Sequence, residues 1–147
     1  MKQKNIPYGQ TKRLYFRKIE LGDFDEISKM LNQKSVREIW EKEFKNRDVK
    51  RWIENCMGSY SNTGEGFYII QHKETNEIIG QISLSQDTIN GEIVYETGYI
   101  LNEKYTGQGY ATEAAEHMCK IAFELMNLEK VIFEIRPINI KSIKVVI

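Results

Sequence analysis

Between Asn102 and Ala114 the chain reads NEKYTGQGYATEA, which sets Gly107 and Gly109 between a strand-like segment and a helix-like one. Glycine at such a junction removes the Cβ atoms that would hold a phosphate away. Consecutive main-chain N–H groups can then converge on an anion with the helix dipole behind them. Gly107, Gln108, Gly109, Tyr110, Ala111 and Thr112 therefore form a candidate diphosphate cradle, although the same spelling also fits a plain turn. Glu96 is the second candidate. Along 93–101, a period of two sets it on one face with Val94, Gly98 and Ile100, so a carboxylate stands on a mostly apolar surface beside a glycine that permits close approach. Such a group could take up a proton, or could be an edge glutamate paired with a lysine.

Rival phosphate motifs fail on spelling. A P-loop ends in Gly-Lys-Ser/Thr, and the chain has no such run. The dinucleotide fingerprint needs a small third residue where Thr112 stands, and Glu129, at the offset of a ribose-binding acid, precedes the next strand instead of ending it. Cys56 and Cys119 lie far apart and form no CxxC, so neither a zinc knuckle nor a disulfide framework is expected. With 21 basic and 21 acidic residues the formal charge is +0, which gives no field for wrapping nucleic acid. A polar N-terminus and the lack of a long apolar run give no sign of a membrane span, and reduced thiols point to a soluble, cytoplasmic protein.

The chain has 147 residues, 41% of them hydrophobic, which matches one domain with a core of its own. A first strand is expected over 13–19, with Leu14, Phe16 and Ile19. Asp23 follows as an N-cap with Glu26 three residues on, ahead of Phe24, Ile27, Met30 and Leu31 at helical spacing. Residues 35–50 are charged and carry little pattern, but Val49, Trp52, Ile53 and Cys56 predict a helix ending near Gly58, then a loop to Gly66. Residues 67–71 and 78–84 read as a hairpin, and a turn at 89–91 leads into a strand over 92–102. A helix over 109–127, a strand over 131–136 and a helix starting after Pro137 complete the order. An antiparallel meander followed by a β-loop-α-β crossover implies an α+β sheet with one parallel pairing. His117 falls on the polar arc of the long helix and is read as a surface residue.

Gly107, Gly109 and Ala111, with Glu96-Thr97-Gly98-Tyr99 before them and Asn139-Ile140-Lys141-Ser142 after, resemble the GNAT superfamily of acetyl-CoA-dependent N-acetyltransferases. Arg13-Leu14-Tyr15-Phe16-Arg17, followed by Asp23, Phe24 and Ile27, looks like the first strand and helix of its Rim-type subgroup, the ribosomal-protein N-terminal acetyltransferases. The resemblance implies a mixed, mostly antiparallel sheet flanked by helices, with acetyl-CoA as cosubstrate and no metal. The cofactor would lie in a V-shaped opening between the strand ending near Leu101 and the strand beginning near Val131. Tyr99, Ile100 and Leu101 would pair through their backbone with the pantetheine amides, the Gly107 to Thr112 N–H groups with the diphosphate, and Asn139 with the pantetheine arm. Thr106 stands where the family loop carries Gln or Arg, which throws more of the grip onto backbone donors.

The reaction so implied is attack of a neutral primary amine on a thioester. An α-amino group of pKa ~8 is about 10% neutral at pH 7 and a lysine less than about 0.1%, so a base assists both. Glu96 maps to that base, a backbone N–H near Ile100 to the oxyanion donor, and Ser142 either to the acid that protonates the leaving thiolate or to a helix cap. Tyr105 and Tyr110 flank the loop as packing or adenine-side groups. Asp87, Glu92, Glu96 and Glu103 near the cleft are compatible with a cationic acceptor, whether a protein N-terminus or a small-molecule amine. A non-catalytic acyl-CoA-binding or regulatory domain of the same fold is the alternative. Family members continue past the position of Ile147 with two more strands, so the chain reads as a C-terminally short domain. On that reading its turnover is weakened, and its open sheet edge could be completed by a second copy.

Overall fold

The computed structural model describes residues 9–62, 66–125, 132–137 and 143–146. Strand β1 (Leu14–Lys18) turns Leu14 and Phe16 to the interior, as alternation requires. A 3-10 turn at Leu21–Asp23 leads into α1 (Phe24–Leu31), whose Ile27, Met30 and Leu31 are buried. The expected side-chain cap of α1 by Asp23 is not made. Arg17 takes that carboxylate in a fork, Nη1 to Oδ2 at 2.9 Å and Nη2 to Oδ1 at 2.8 Å, and the Glu20 amide donates to it at 2.8 Å. A charged fork outcompetes a single helix amide, so the capping box forms one turn earlier, between Glu20 and Asp23.

Helix α2 (Lys34–Trp40) sits in the stretch that carried little pattern, because Val36 is its buried residue. Helix α3 (Asn46–Asn62) runs past Gly58, where it was expected to stop. Tyr60, just beyond that glycine, explains the extension. Its hydroxyl accepts from the Ile19 amide at 2.9 Å and donates to the Phe67 carbonyl, and its ring packs 4.8 Å from that of Tyr68. Tertiary contacts of this kind outweigh the roughly 1 kcal/mol that an interior helical glycine costs.

Strands β2 (Phe67–His72) and β3 (Ile78–Ser83) form the expected hairpin. Strand β4 (Ser85–Ile89) was not foreseen, since the expected strand stopped at residue 84; it continues the register of β3 along β5 (Glu92–Leu101), with Ile82 opposite Tyr99 and Ser85 opposite Glu96. Asn90 and Gly91, at φ 52° and 81°, make the two-residue turn between β4 and β5. Helix α4 (Tyr110–Leu125) then crosses over to β6 (Ile132–Pro137), which runs parallel to β5 from Val94 opposite Ile132 to Tyr99 opposite Pro137.

The helix expected after Pro137 is replaced, within the described residues, by β7 (Ile143–Val146), antiparallel to β6. Ile143, Val145 and Val146 are β-branched, and so short a segment cannot hold a helix alone. The edge anticipated at β6 is therefore covered by another strand. The sheet reads β1-β2-β3-β5-β6-β7, with β4 also on β5, and is mixed and mostly antiparallel. Helix α4 packs on one face over Leu14, Phe16, Ile70 and Ile79, while α1 and α3 cover the other over Ile69 and Ile100. No helix among the described residues is long and apolar enough to cross a membrane.

Candidate active site

The end of β5 is held by close packing and by a side chain. A Cβ on Gly80 would lie 2.4 Å from the Ile100 carbonyl oxygen and 2.9 Å from Leu101 Cα, so β3 approaches β5 there only because position 80 is glycine. The Asn102 amide donates to the Ile79 carbonyl at 2.8 Å, which fixes the ladder's parity. Residue 100 then shares its hydrogen bonds with Gln81 on β3, and the main-chain groups of Tyr99 and Leu101 turn to the opposite edge. The oxyanion donor expected near Ile100 is thus not the Ile100 amide itself, which faces β3. Among the described residues, Tyr99 opposite Pro137 is the last pair that β5 and β6 hold in register. Gln33 reaches across from the end of α1: its Nε2 donates to the Leu101 carbonyl at 3.0 Å and its Oε1 accepts from the Glu103 amide.

Glu96 is half-buried and lies opposite Ser85 on β4 and Glu134 on β6. It shares a face with Gly98 and Ile100, and Ile100 packs into the α1–α3 core, which places the carboxylate on that side of the sheet. Beside it the ladder is closed by hydroxyls. Ser83 Oγ lies 3.3 Å from both the amide and the carbonyl of Gly98, and Thr97 Oγ1 donates to the Ser83 carbonyl at 2.7 Å. At Ile100 itself the ladder with β3 runs without a register shift. From Glu96 to Leu101 is about 17 Å at ~3.4 Å per residue, an extended path along one strand.

Past Leu101, a 3-10 turn at Glu103–Tyr105 delivers the chain to the glycine loop. Thr106 hydrogen-bonds the Glu103 carbonyl at 2.9 Å through Oγ1, closing that turn and offering nothing to a ligand. Gly107 and Gly109 have φ of 77° and 84°, a region costly for any residue with a Cβ, and a Cβ on Gly107 would point into open space. Among the described residues, none of the amides from Gly107 to Thr112 donates a hydrogen bond within the protein. The first amide used in this stretch is that of Glu113, to the Gly109 carbonyl at 3.0 Å. The loop thus presents a run of unspent donors at a helix N-terminus, the arrangement a diphosphate requires.

The loop is braced from the residues just before β1, a contact the sequence reading missed. Arg13 Nε donates to Glu113 Oε1 at 2.7 Å, the Arg13 amide to Glu113 Oε2 at 2.9 Å, and Arg13 Nη1 to the Gln108 carbonyl at 3.2 Å. Thr11 Oγ1 donates to the same carboxylate. Burial alone would raise the Glu113 carboxyl, but these donors, led by Thr11, outweigh it and hold the group below its ordinary value. The only signal available beforehand was the pairing of Thr11-x-Arg13 with a glutamate in the helix's first turn.

Tyr110 is buried, with the Arg13 guanidinium 4.3 Å from its ring centre and Tyr105 at 6.2 Å, which makes it a packing residue. The Tyr105 phenol is pushed up to about 12 by burial and by its bond to Glu77, so it is committed elsewhere. His117 is half-buried and stacks on Phe16 at 4.9 Å, covering the end of the core more than a bare surface residue would. Burial, with Glu116 nearby, pushes the Cys119 thiol up to about 11, and burial raises that of Cys56, so neither is primed as a thiolate near neutral pH. Asn139 and Ser142 lie outside the described residues.

Among the described residues no group of three His, Cys, Asp or Glu could hold a metal ion. A cavity of about 1060 Å³ is lined by β1 and the end of α3, with β2 and β3 between it and β5, so it is not where these groups converge. The acetyltransferase (GNAT) domain family matches residues 13–147. The chain belongs to the GNAT acetyltransferase family. A GNAT relative, the uncharacterized N-acetyltransferase YnaD of Bacillus subtilis (strain 168), is 32% identical over 92% of this chain and 76% of its own length. The uncharacterized N-acetyltransferase p20 of Bacillus licheniformis is 31% identical over 91% of this chain and 76% of its own. The crystal structure of a GNAT acetyltransferase from Bacillus anthracis superposes with a TM-score of 0.70 at 26% identity, covering 85% of this chain and 71% of the other. The protein is an enzyme, an N-acetyltransferase of a family that uses acetyl-CoA.

Proposed function

We propose that this GNAT enzyme moves an acetyl group from acetyl-CoA to a primary amine, a protein N-terminus or a small-molecule amine, by direct attack of the amine on the thioester. The observation that carries the reading is the run of unspent amides from Gly107 to Thr112, opened by two glycines at positive φ and set at the N-terminus of α4. Acetyl-CoA supplies the activated acetyl group. The Gly107 to Thr112 amides hold its diphosphate, and the main-chain groups of Tyr99 and Leu101, turned away from β3, pair with the amides of its arm. Glu96 takes the proton that the amine must shed, on a face whose neighbour Gly98 leaves room for an incoming group. Asn139 and Ser142 keep their proposed roles at the pantetheine arm and the leaving thiolate.

The Rim-type subgroup is part of the proposal. Its support is the Thr11-x-Arg13-Leu14 start of β1, tied to Glu113 in the first turn of α4. The chain is read as one cytoplasmic domain, and pairing of an exposed sheet edge with a second copy is kept as its proposed assembly. Calorimetry with acetyl-CoA and CoA, alongside free-thiol release over a panel of N-terminal peptides and polyamines, tests the function. Both ligands are expected to bind, with CoA released only when an amine is present. Binding without release over the whole panel would favour a non-catalytic acyl-CoA domain, and no binding would end the proposal.

A further inference from the structure

The glycine loop has two peptide planes whose directions decide what it can offer, and both are set by named contacts. Glu113 fixes the plane after Gly109 by donating its amide to the Gly109 carbonyl at 3.0 Å. Arg13 fixes the plane before it by donating Nη1 to the Gln108 carbonyl at 3.2 Å. A trans peptide is planar, so its C=O and N–H point in opposite directions. Arg13 approaches from β1, so pulling the Gln108 carbonyl toward it turns the Gly109 amide away from β1. Across the sheet, the main-chain groups of Tyr99 and Leu101 are also turned away from β1.

Arg13 is itself over-determined. Its Nε is 2.7 Å from Glu113 Oε1, its own amide is 2.9 Å from Oε2, and its guanidinium lies over the Tyr110 ring at 4.3 Å. Gly109 lies beside this guanidinium, where a Cβ would meet Nη2 at an ordinary contact distance of 3.4 Å, and it is the φ of 84° that calls for glycine there. The Glu113 carboxylate balances the guanidinium charge, which leaves Arg13 to act through the peptide it holds.

We propose that Arg13 is a positioning residue for the diphosphate: clamped by Glu113, it holds the Gln108 carbonyl and thereby aims the Gly109 amide at the bound coenzyme. The proposal rests on the reading of 107–112 as a diphosphate cradle. It is tested by titrating CoA and pantetheine, which lacks the diphosphate, into the wild type, Arg13→Ala and Arg13→Lys. Lysine keeps the charge opposite Glu113, but one ammonium cannot reproduce a fork that spans Glu113 and Gln108.

In both variants CoA affinity is expected to fall roughly tenfold or more while pantetheine affinity changes less than about twofold, the loss belonging to one misdirected amide on a charged group. The Gly109 amide resonance is expected to shift in the unliganded variants. If Arg13→Ala does not fold, Arg13→Lys decides. An unchanged ratio of the two affinities, or an equal loss of both, overturns the assignment. Wild-type protein that binds CoA no more tightly than pantetheine would overturn the cradle reading itself, a result distinct from a failure at Arg13.

Discussion

Gly80→Ala puts the packing argument to the sharpest test. The new methyl would sit 2.4 Å from the Ile100 carbonyl oxygen and 2.9 Å from Leu101 Cα, both main-chain atoms that no rotamer change can move. Real Cβ contacts stop near 3.0 Å, so β3 and β5 must part by about 0.6 Å at the strand end. Overpacking of this kind costs about 1–3 kcal/mol, and a strained ladder bond such as Asn102 to Ile79 adds about 1 kcal/mol. The stiffer unfolded chain returns about 0.4–1 kcal/mol. The net loss of about 1–3.5 kcal/mol corresponds to a fall in Tm of roughly 3–12 °C for a chain of this size. Because the displaced strand carries Leu101, CoA affinity should fall as well. Gly58→Ala is the control: it lies exposed within α3 with nothing within 4 Å of the new methyl, and should stabilise by about 0.5–1 kcal/mol. Thermal unfolding by circular dichroism and CoA titration read both variants. A Gly80→Ala protein as stable as the wild type, with unchanged CoA affinity, would refute the reasoning.

Glu96→Gln should lower turnover roughly a hundredfold, in keeping with loss of a general base, while sparing CoA affinity; steady-state kinetics and calorimetry check it, and equal activity removes Glu96 from the mechanism. Trp52→Phe removes the indole N–H that meets Gln81 Oε1 at 2.9 Å, leaving an acceptor on a side chain with 0% exposure. Denaturant unfolding should show a loss of about 1–3 kcal/mol, and a variant within 0.5 kcal/mol of wild type, the usual surface-substitution range, would contradict that partnership. Asp23 and Glu113 are both held below their ordinary values of 3.8 and 4.5, so the unfolded chain binds protons first and stability falls as pH drops. Tm should hold steady above about pH 5 and decline below about 4.5, whereas a flat profile down to pH 3 would rule out both contributions.

Local pattern made most of the elements legible. Alternation marked β1, β2, β3 and β5, and the i, i+3, i+4 spacing of Ala111, Ala114, Ala115 and Met118 marked α4, since both signals report one buried face. The failures share a cause in long-range partners. Asp23 was read as a cap because its neighbours allowed it, but Arg17 competes for it through a folded contact. Gly58 looked like a stop until Tyr60 found Ile19 and Phe67. Ile143 to Val146 became a strand because β6 offered a ladder. In the site, the glycines and Glu96 were visible as residue types in a spacing, whereas Arg13 and Gln33 act on segments some 95 and 68 positions away and carry no local mark.

Gln33 ties the last turn of α1 to both sides of the break where β5 gives way to the turn that follows. A helix end and a strand end joined by one amide move as a single lever. Any event that tilts α1 must drag Leu101 and Glu103 with it or sever both links, so crowding on the α1–α3 face of the sheet would be felt at the mouth of the proposed coenzyme groove.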